Sequence, residues 1–575
     1  MSEGTIQGAS AGVMLPDGSM WTGASGYADG AHQRPLQATD QFRVGSQTKT
    51  YTANLILQMA DQGLVRLDQT LEQLVPTLNV PNAGRITVRD LLTMRSGIPE
   101  YLSAPSANQP GKLIREEWND ADGDVAYTAE QLVRQTNLVE RRDEPPGTRM
   151  EYTNTNYALL GIIAEQASCR QATGCKTIGQ LINQQVLARV PGIAGALYPT
   201  TNNPFTRPAV EGNSPTASGR VVNTTYSNPT VPGAAGALIS TPRDELLWIR
   251  EVVTNSNRLV SNATHQALID SVTKAVRDGI IGGIVPVTYG YGLMSARSPG
   301  TGDEMIGHGG SLTGYTSQLF WLPELNMGFA VNVAGQPASF PKNLPYQYMG
   351  IAGLPSDDKA YSALPLYWML QRNVVLASQA QGDCGNGAIG RVGSGQSATC
   401  SGDSVRTRPI VLEGSKLTVN DAGRHVTGAT YGDDGVQGAT SLLRPAVAFY
   451  GSNLEGIHLK GGATLNVQPM ALVEATGVNS TAIRLTGGNN KLVVNGQVGA
   501  YGQGSKAILG DNGADDVTLG PDSKVFGDID LGGGANRLVA NGTVKGAIRY
   551  SGPDTRIAGT GALYTDVGGT TVSPG

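Results

Sequence analysis

Phe42–Gly63, FRVGSQTKTYTANLILQMADQG, is the stretch on which the fold of this chain turns. Phe42, Arg43 and Val44 lead into Ser46, and from there apolar residues recur at helical spacing until the run stops at Gly63. The pattern predicts a helix that begins at Ser46. Positions three apart share a helical face, so Lys49 lies under the Ser46 hydroxyl with its ammonium one turn away. A serine hydroxyl is a poor nucleophile at neutral pH and needs an adjacent base; a lysine serves once desolvation or nearby positive charge lowers its pKa. The N-terminal end of the helix also favours negative charge on the serine side. The ordinary alternative is an N-cap followed by a surface lysine.

A second serine competes for the same role. Gly8-Ala9-Ser10-Ala11-Gly12 matches G-x-S-x-G, but that elbow needs a strand before the serine and a helix after it. Here GVMLPDGSMW follows, which reads as a strand, an Asp17-Gly18 turn and a second strand. Ser10 is therefore expected to be a small residue in a first strand. Two further stretches keep company with Ser46. Tyr152 and Asn154 stand in EYTNTNY, between the turn signal Glu144-Pro145-Pro146-Gly147 and the apolar helix ALLGIIAEQA, and are expected on the loop that feeds that helix. Gly307-His308-Gly309-Gly310-Ser311 precedes the strand-like SQLFWLPELNMGFAVNV, whose Pro-Glu-Leu-Asn centre reads as a hairpin turn.

In this order the three motifs resemble those of the penicillin-recognising serine hydrolases, the group of class C β-lactamases, D-alanyl-D-alanine carboxypeptidases and family VIII esterases. The stretches ending at Asp29, Tyr101 and Ile249 (GASGYAD, ITVRDLLTMRSGIPEY, GALISTPRDELLWI) support the likeness, which covers roughly residues 5–375. The resemblance implies an α/β hydrolase domain of the β-lactamase/transpeptidase type, with an antiparallel sheet flanked by helices plus a helical subdomain. It implies that Ser46 forms the acyl-enzyme, that Lys49 is its base or base-positioning partner, and that Tyr152 moves the proton among nucleophile, water and leaving group. Asn154 would donate from its amide to the substrate's acyl side chain and to Lys49. His308, Gly309, Gly310 and Ser311 would form the third motif, with the backbone N–H groups of Ser46 and Ser311 as the oxyanion hole. Where β-lactamases resemble K-T-G, this chain has His308-Gly309-Gly310, so the hold on a substrate carboxylate is expected to be weaker. That favours an esterase, amidase or peptidase over a true β-lactamase. Tyr101, Tyr291 and Tyr315 are read as packing.

Composition shows where this domain ends. Of 77 glycines, 38 lie in residues 1–380 and 39 in the last 195, while all five tryptophans (Trp21, Trp118, Trp248, Trp321, Trp368) precede that point. The aromatic anchors of a compact core therefore belong to the first part. From about Arg408, short alternating runs close on Gly, Asn or Asp: SKLTVND, ATLNVQP, TAIRLTGGNN, NKLVVNGQ, DDVTLGPD, NRLVANG. They predict an all-β domain, a parallel β-helix that resembles autotransporter passenger stalks, with a two-sheet sandwich as the alternative. The expected division is 1–378 hydrolase, 379–407 disulfide-containing linker and 408–575 β-solenoid.

Cys169 with Cys175 and Cys384 with Cys400 lie as close pairs and read as two local disulfides, which would need an oxidising compartment; four buried thiols are the alternative. The reading is of an exported protein of the secreted fraction or cell surface of a Gram-negative bacterium, its signal peptide removed and its outer-membrane barrel translocator not in this chain. No stretch reaches the roughly 18 uninterrupted apolar residues that span a bilayer. A net charge of -5 supplies no cationic field for nucleic acid or anionic membrane. His32, His265, His425 and His458 are isolated in sequence, so neither metal nor cofactor is expected. The expected partner is a small-molecule or peptide ester or amide. The competing reading is a non-enzymatic passenger that binds a cell-wall or surface ligand.

Overall fold

The computed structural model describes residues 7–140, 145–171, 174–215, 220–254, 256–275, 279–281, 285–297 and 304–335, and then 391–400, 405–406, 410–419, 425–431, 437–443, 447–450, 453, 455–469, 471–476, 479–501, 504–561 and 563–564. The chain divides into two compact units, the first holding the described residues up to 335 and the second those from 391.

The first unit is built on an eight-stranded antiparallel sheet. Strands β1 (Gly8–Met14) and β2 (Met20–Gly26) form the expected hairpin, its turn closed by Asp17 Oδ1, which accepts from Ser19 N at 2.9 Å and Ser19 Oγ at 2.7 Å. Ser10 sits in mid-β1, paired in register with Asn332 and 1% exposed, as the failure of the elbow context implies. The other strands are β3 (Gly279–Ile281), β4 (Val285–Tyr289), β5 (Met294–Arg297), β6 (Glu304–Leu312), β7 (Tyr315–Leu322) and β8 (Met327–Ala334), in spatial order β2-β1-β8-β7-β6-β5-β4-β3. Insertion of β8 between β1 and β7 sets the first and the last described strands of the unit side by side. The β7–β8 turn is the Pro323–Asn326 one, with Asn326 left-handed at φ 51°.

Helix α1 (Thr48–Asp61), α2 (Ala129–Gln135), α3 (Asn154–Ser168), α4 (Ile178–Leu181), α5 (Gly233–Gly236) and α6 (Pro242–Thr254) carry most of what bears on the site. Trp248 of α6 stacks on Tyr51 of α1 at 3.9 Å and donates from its indole N–H to Thr50 Oγ1 at 2.7 Å, so its ring is buried without an unpaired donor. Trp118 and Trp321 are buried as well. Trp21 is not: it lies on the edge strand β2 and is 54% exposed, so it is no core anchor. Trp368 lies outside the described residues.

The second unit holds three seven-stranded sheets in which every pairing is parallel. Successive strands fall in successive sheets: Glu455–Lys460, Thr464–Val467 and Leu472–Thr476 occupy one each, and Thr481–Thr486 returns to the first. This arrangement is compatible with a β-helix. The six sequence runs quoted above all contain strands, and their alternation is the burial pattern: Leu417, Leu465, Leu492, Val517 and Leu538 stack in register at 0% exposure. Between their sheets the chain turns on left-handed Gly487, Gly488 and Asn489, followed by Asn490, whose amide donates to Asp515 Oδ1 at 2.9 Å. One antiparallel pair, His425–Tyr431 with Gln437–Leu443, departs from the pattern. The structure also differs from the expected 379–407 linker. Arg391–Val392, Ser397–Cys400 and Val405–Arg406 are already the first strand of each parallel sheet. Strands of two to four residues carry too few alternations to show a period.

Cys169 and Cys175 are joined in a disulfide just after α3. Cys400 is disulfide-bonded, and Cys384 lies outside the described residues.

Candidate active site

Ser46 lies in a tight 3₁₀ turn, Gly45–Gln47, and α1 proper starts at Thr48, two residues later than the periodicity predicts. The turn is pinned on three sides. Thr48 Oγ1 donates to Gly45 O at 2.7 Å and accepts from Leu238 N at 2.9 Å, Val44 N donates to Leu238 O at 3.0 Å, and Ser317 Oγ donates to Val44 O at 2.9 Å. The close approach of β6 demands glycine: a Cβ on Gly310 would stand 2.0 Å from Val44 O. Gly45 itself is left-handed at φ 55°, and a Cβ there would meet Ser311 N at 2.9 Å. The Ser311 end of β6 is thereby held against the turn that carries Ser46.

Lys49 fulfils the one-turn geometry. Its Nζ donates to Ser46 Oγ at 3.0 Å, Asn154 Oδ1 at 2.7 Å and the Ala235 carbonyl at 2.8 Å, with the Tyr152 ring centroid 4.9 Å and the Tyr157 centroid 5.7 Å away. The side chain has no solvent exposure. Burial brings its pKa down from 10.5 to about 7, against the opposing pull of the Glu100 carboxylate. A neutral amine within hydrogen-bond reach of a serine hydroxyl can take its proton.

Asn154 is the first residue of α3 and not part of the preceding loop, because Thr153 caps that helix by accepting from Thr155 N at 3.2 Å. The orientation of its amide differs from the sequence expectation. Its oxygen accepts from Lys49, and its Nδ2 donates to Glu100 Oε2 at 3.0 Å, the same oxygen that takes Asn154 N at 2.7 Å. An ammonium cannot accept, and Glu100 holds the donor end away from it. Tyr152, half-buried, stands edge-on to Tyr289 at 5.9 Å and 6.1 Å from the His308 ring.

The third motif is itself a strand, the middle of β6, and not a lead-in to one. His308 is 1% exposed, its Nε2 paired with Tyr289 OH at 3.1 Å and its Nδ1 with Gly309 O at 2.5 Å. Burial, helped by Lys49, pushes its pKa down to about 3, so the ring is neutral at ordinary pH. Gly309 faces the Gln318 amide across the strand pair, and Ser311 is exposed. Tyr101, Tyr291 and Tyr315 are all buried, their hydroxyls engaged by Val231 O, Arg89 and Val210 O respectively.

Three contributors escaped the sequence reading: Glu100, the Ala235 carbonyl and Tyr289. Glu100 stands inside the quoted stretch that ends at Tyr101, yet nothing in a lone Glu after proline marks it. A carbonyl contact leaves no residue-type signal at all. Among the described residues no group of three or more His, Cys, Asp or Glu could hold a metal ion, and no helix is long and apolar enough to cross a membrane.

A family model described as Beta-lactamase matches residues 1–350. Protein flp of Staphylococcus aureus (strain MW2) is 27% identical over 179 residues, 30% of this chain and 32% of that protein. Penicillin-binding protein 4 of Amycolatopsis lactamdurans is 30% identical over 167 residues, 28% of this chain and 39% of that protein. The matched segment thus spans about a third of the length of these curated relatives. Among solved structures, the D-amino acid amidase of Ochrobactrum anthropi SV3 complexed with L-phenylalanine superposes with a TM-score of 0.50 at 20% identity, covering 65% of this chain and 94% of that one, a likeness of fold alone.

Proposed function

The chain belongs to the beta-lactamase family of serine hydrolases, and on that premise we propose that its first unit transfers an acyl group from an ester, or from an amide or peptide, to water through an acyl-enzyme on Ser46. The observation that carries this reading is the 3.0 Å bond between Lys49 Nζ and Ser46 Oγ, made by a lysine whose pKa is down to about 7. Lys49 takes the hydroxyl proton as Oγ bonds to the substrate carbonyl carbon. The N–H groups of Ser46 and Ser311 receive the carbonyl oxygen as it gains charge. The carbon–leaving-group bond then breaks, the leaving group gaining a proton by way of Tyr152, and water repeats the sequence in reverse to free Ser46. Asn154 keeps Lys49 in line, and Glu100 keeps Asn154 in the orientation that accepts.

Charge at the site supports an ester or amide over a β-lactam. The third-motif residue His308 is neutral and buried, while Glu100 brings a carboxylate to the hydrogen-bonded set of Asn154, Lys49 and Ser46. A substrate that is neutral or carries an amino group meets this field better than one that presents a carboxylate. The test is to treat the protein with a fluorescent phosphonate and locate the adduct, then to compare p-nitrophenyl esters, amino-acid amides of both hands and nitrocefin. Labelling lost in Ser46→Ala, with ester or amide turnover ahead of nitrocefin, is the expected result. Nitrocefin as much the fastest substrate would make it a β-lactamase, and no adduct or turnover would leave a ligand-binding protein.

We read the second unit as a β-solenoid stalk and the protein as exported to the surface or medium of a Gram-negative bacterium. The parallel sheets and the Cys169–Cys175 disulfide support this. Fractionation of the producing cell, with the protein found only in the cytosol, would overturn it.

A further inference from the structure

Behind the wall that supports Lys49 lies a cavity of about 390 Å³, in the size range of small-molecule sites. Its walls come from α2, α3, α4 and the segment from Pro229 to Ala234. Tyr101, Tyr127 and Tyr198 line it with aromatic surface, and one carboxylate, Glu165 of α3, faces it. Glu165 Oε1 accepts from Ile178 N at 2.7 Å, which caps α4; among the described residues its second oxygen has no hydrogen-bond partner. Burial raises this carboxyl, and the charge of Glu130 adds to the effect. Burial raises the pKa of the Tyr198 phenol and the Glu165 carboxylate adds to it, so acid and phenol are electrostatic neighbours. A partly desolvated carboxylate with one open oxygen, set among tyrosines, matches a cation on an apolar body.

The cavity is one segment thick from the chemistry. Val231 O accepts from Tyr101 OH at 2.6 Å, Ala234 O accepts from Thr52 of α1 at 2.7 Å, and Ala235, next in line, accepts from Lys49. Tyr101 adjoins Glu100, which orients Asn154. An occupant therefore touches both the segment that carries the Lys49 acceptor and the turn that carries Glu100.

We propose that this cavity is a second binding site, separate from the acyl site, for a small molecule bearing a protonated amine on an aromatic or aliphatic body, and that occupancy changes the rate of Ser46 acylation through the 229–236 segment. Binding is independent of the function proposed above; only the effect on acylation rests on Ser46 being the acylated residue. The probe is benzylamine, with benzyl alcohol as its uncharged counterpart, read by calorimetric titration of the full chain and by phosphonate labelling rate. Benzylamine binds and alters the labelling rate, benzyl alcohol binds at least about tenfold more weakly, and Glu165→Gln, which keeps the α4 cap, weakens benzylamine by a similar factor while labelling without amine stays unchanged. Ala129→Phe, which adds a ring at the α2 wall, also lowers affinity. Prior phosphonylation of Ser46 leaves benzylamine binding intact. The proposal is overturned by no binding at millimolar amine, by equal binding in Glu165→Gln, or by binding that disappears once Ser46 is blocked, which would put the amine in the acyl site.

Discussion

At Lys49 two opposed forces set the proton. Loss of water lowers the ammonium's pKa, and the Glu100 carboxylate raises it, leaving it at about 7. If the neutral amine is the base, acylation of Ser46 rises with pH and levels off above an inflection near 7. Glu100→Gln removes the charge that holds the proton on, so its inflection moves to lower pH; a stopped-flow acylation profile of the two proteins reads this directly. An inflection that stays near 7 or rises would mean that the Glu100 charge does not set the proton at Lys49. The linkage to stability has the opposite sign from an ordinary paired lysine. Between about 7 and 10.5 the unfolded chain holds a proton that the folded chain has lost, so this residue favours folding more as pH rises. His308, held at about 3, adds no inflection near 6.5.

Among elements, the contact of β6 with the serine turn leaves no room for a side chain. A methyl on Gly310 meets the Val44 carbonyl at 2.0 Å, and a backbone oxygen cannot swing aside as a side chain can. Gly310→Ala is expected to cost about 1–3 kcal/mol in thermal unfolding and to slow phosphonate labelling as well, because the displaced carbonyl lies two residues from Ser46. Gly309→Ala is the control: its methyl meets only the Gln318 amide end, at 2.9 Å, and both effects should be smaller. In the second unit the same logic of burial applies to a stacked strand. Leu492 is fully buried between Leu465 and Val517, so Leu492→Ala should lower stability by roughly 2–5 kcal/mol in denaturant titration, while Val493→Ala, on the outward side, changes little.

For the molecule as a whole, cleavage near residue 380 is expected to release a C-terminal fragment whose circular dichroism is purely β in type; a helical band in it would refute the boundary. The local half of this architecture was legible in the chain. The Asp17-Gly18 hairpin, the Pro323–Asn326 turn, the α3 helix, the stacked Leu and Val runs and the Ser46–Lys49 spacing all follow from periods of two or 3.6 residues and from turn chemistry, which neighbours in sequence decide among themselves. The rest depended on partners far along the chain. Asn154 and Ala235 reach Lys49 across 105 and 186 residues, and Glu100 reaches Asn154 across 54, so neither the lysine's acidity nor the direction of the amide could be read from motifs. The exposure of Trp21 depends on which strand borders it, and the early start of the parallel sheets on what Arg391–Arg406 finds to pair with. Sequence sets what each segment can form because dihedral preference and side-chain period are local; tertiary structure decides what a charge is worth, because desolvation and pairing exist only once distant segments close around it.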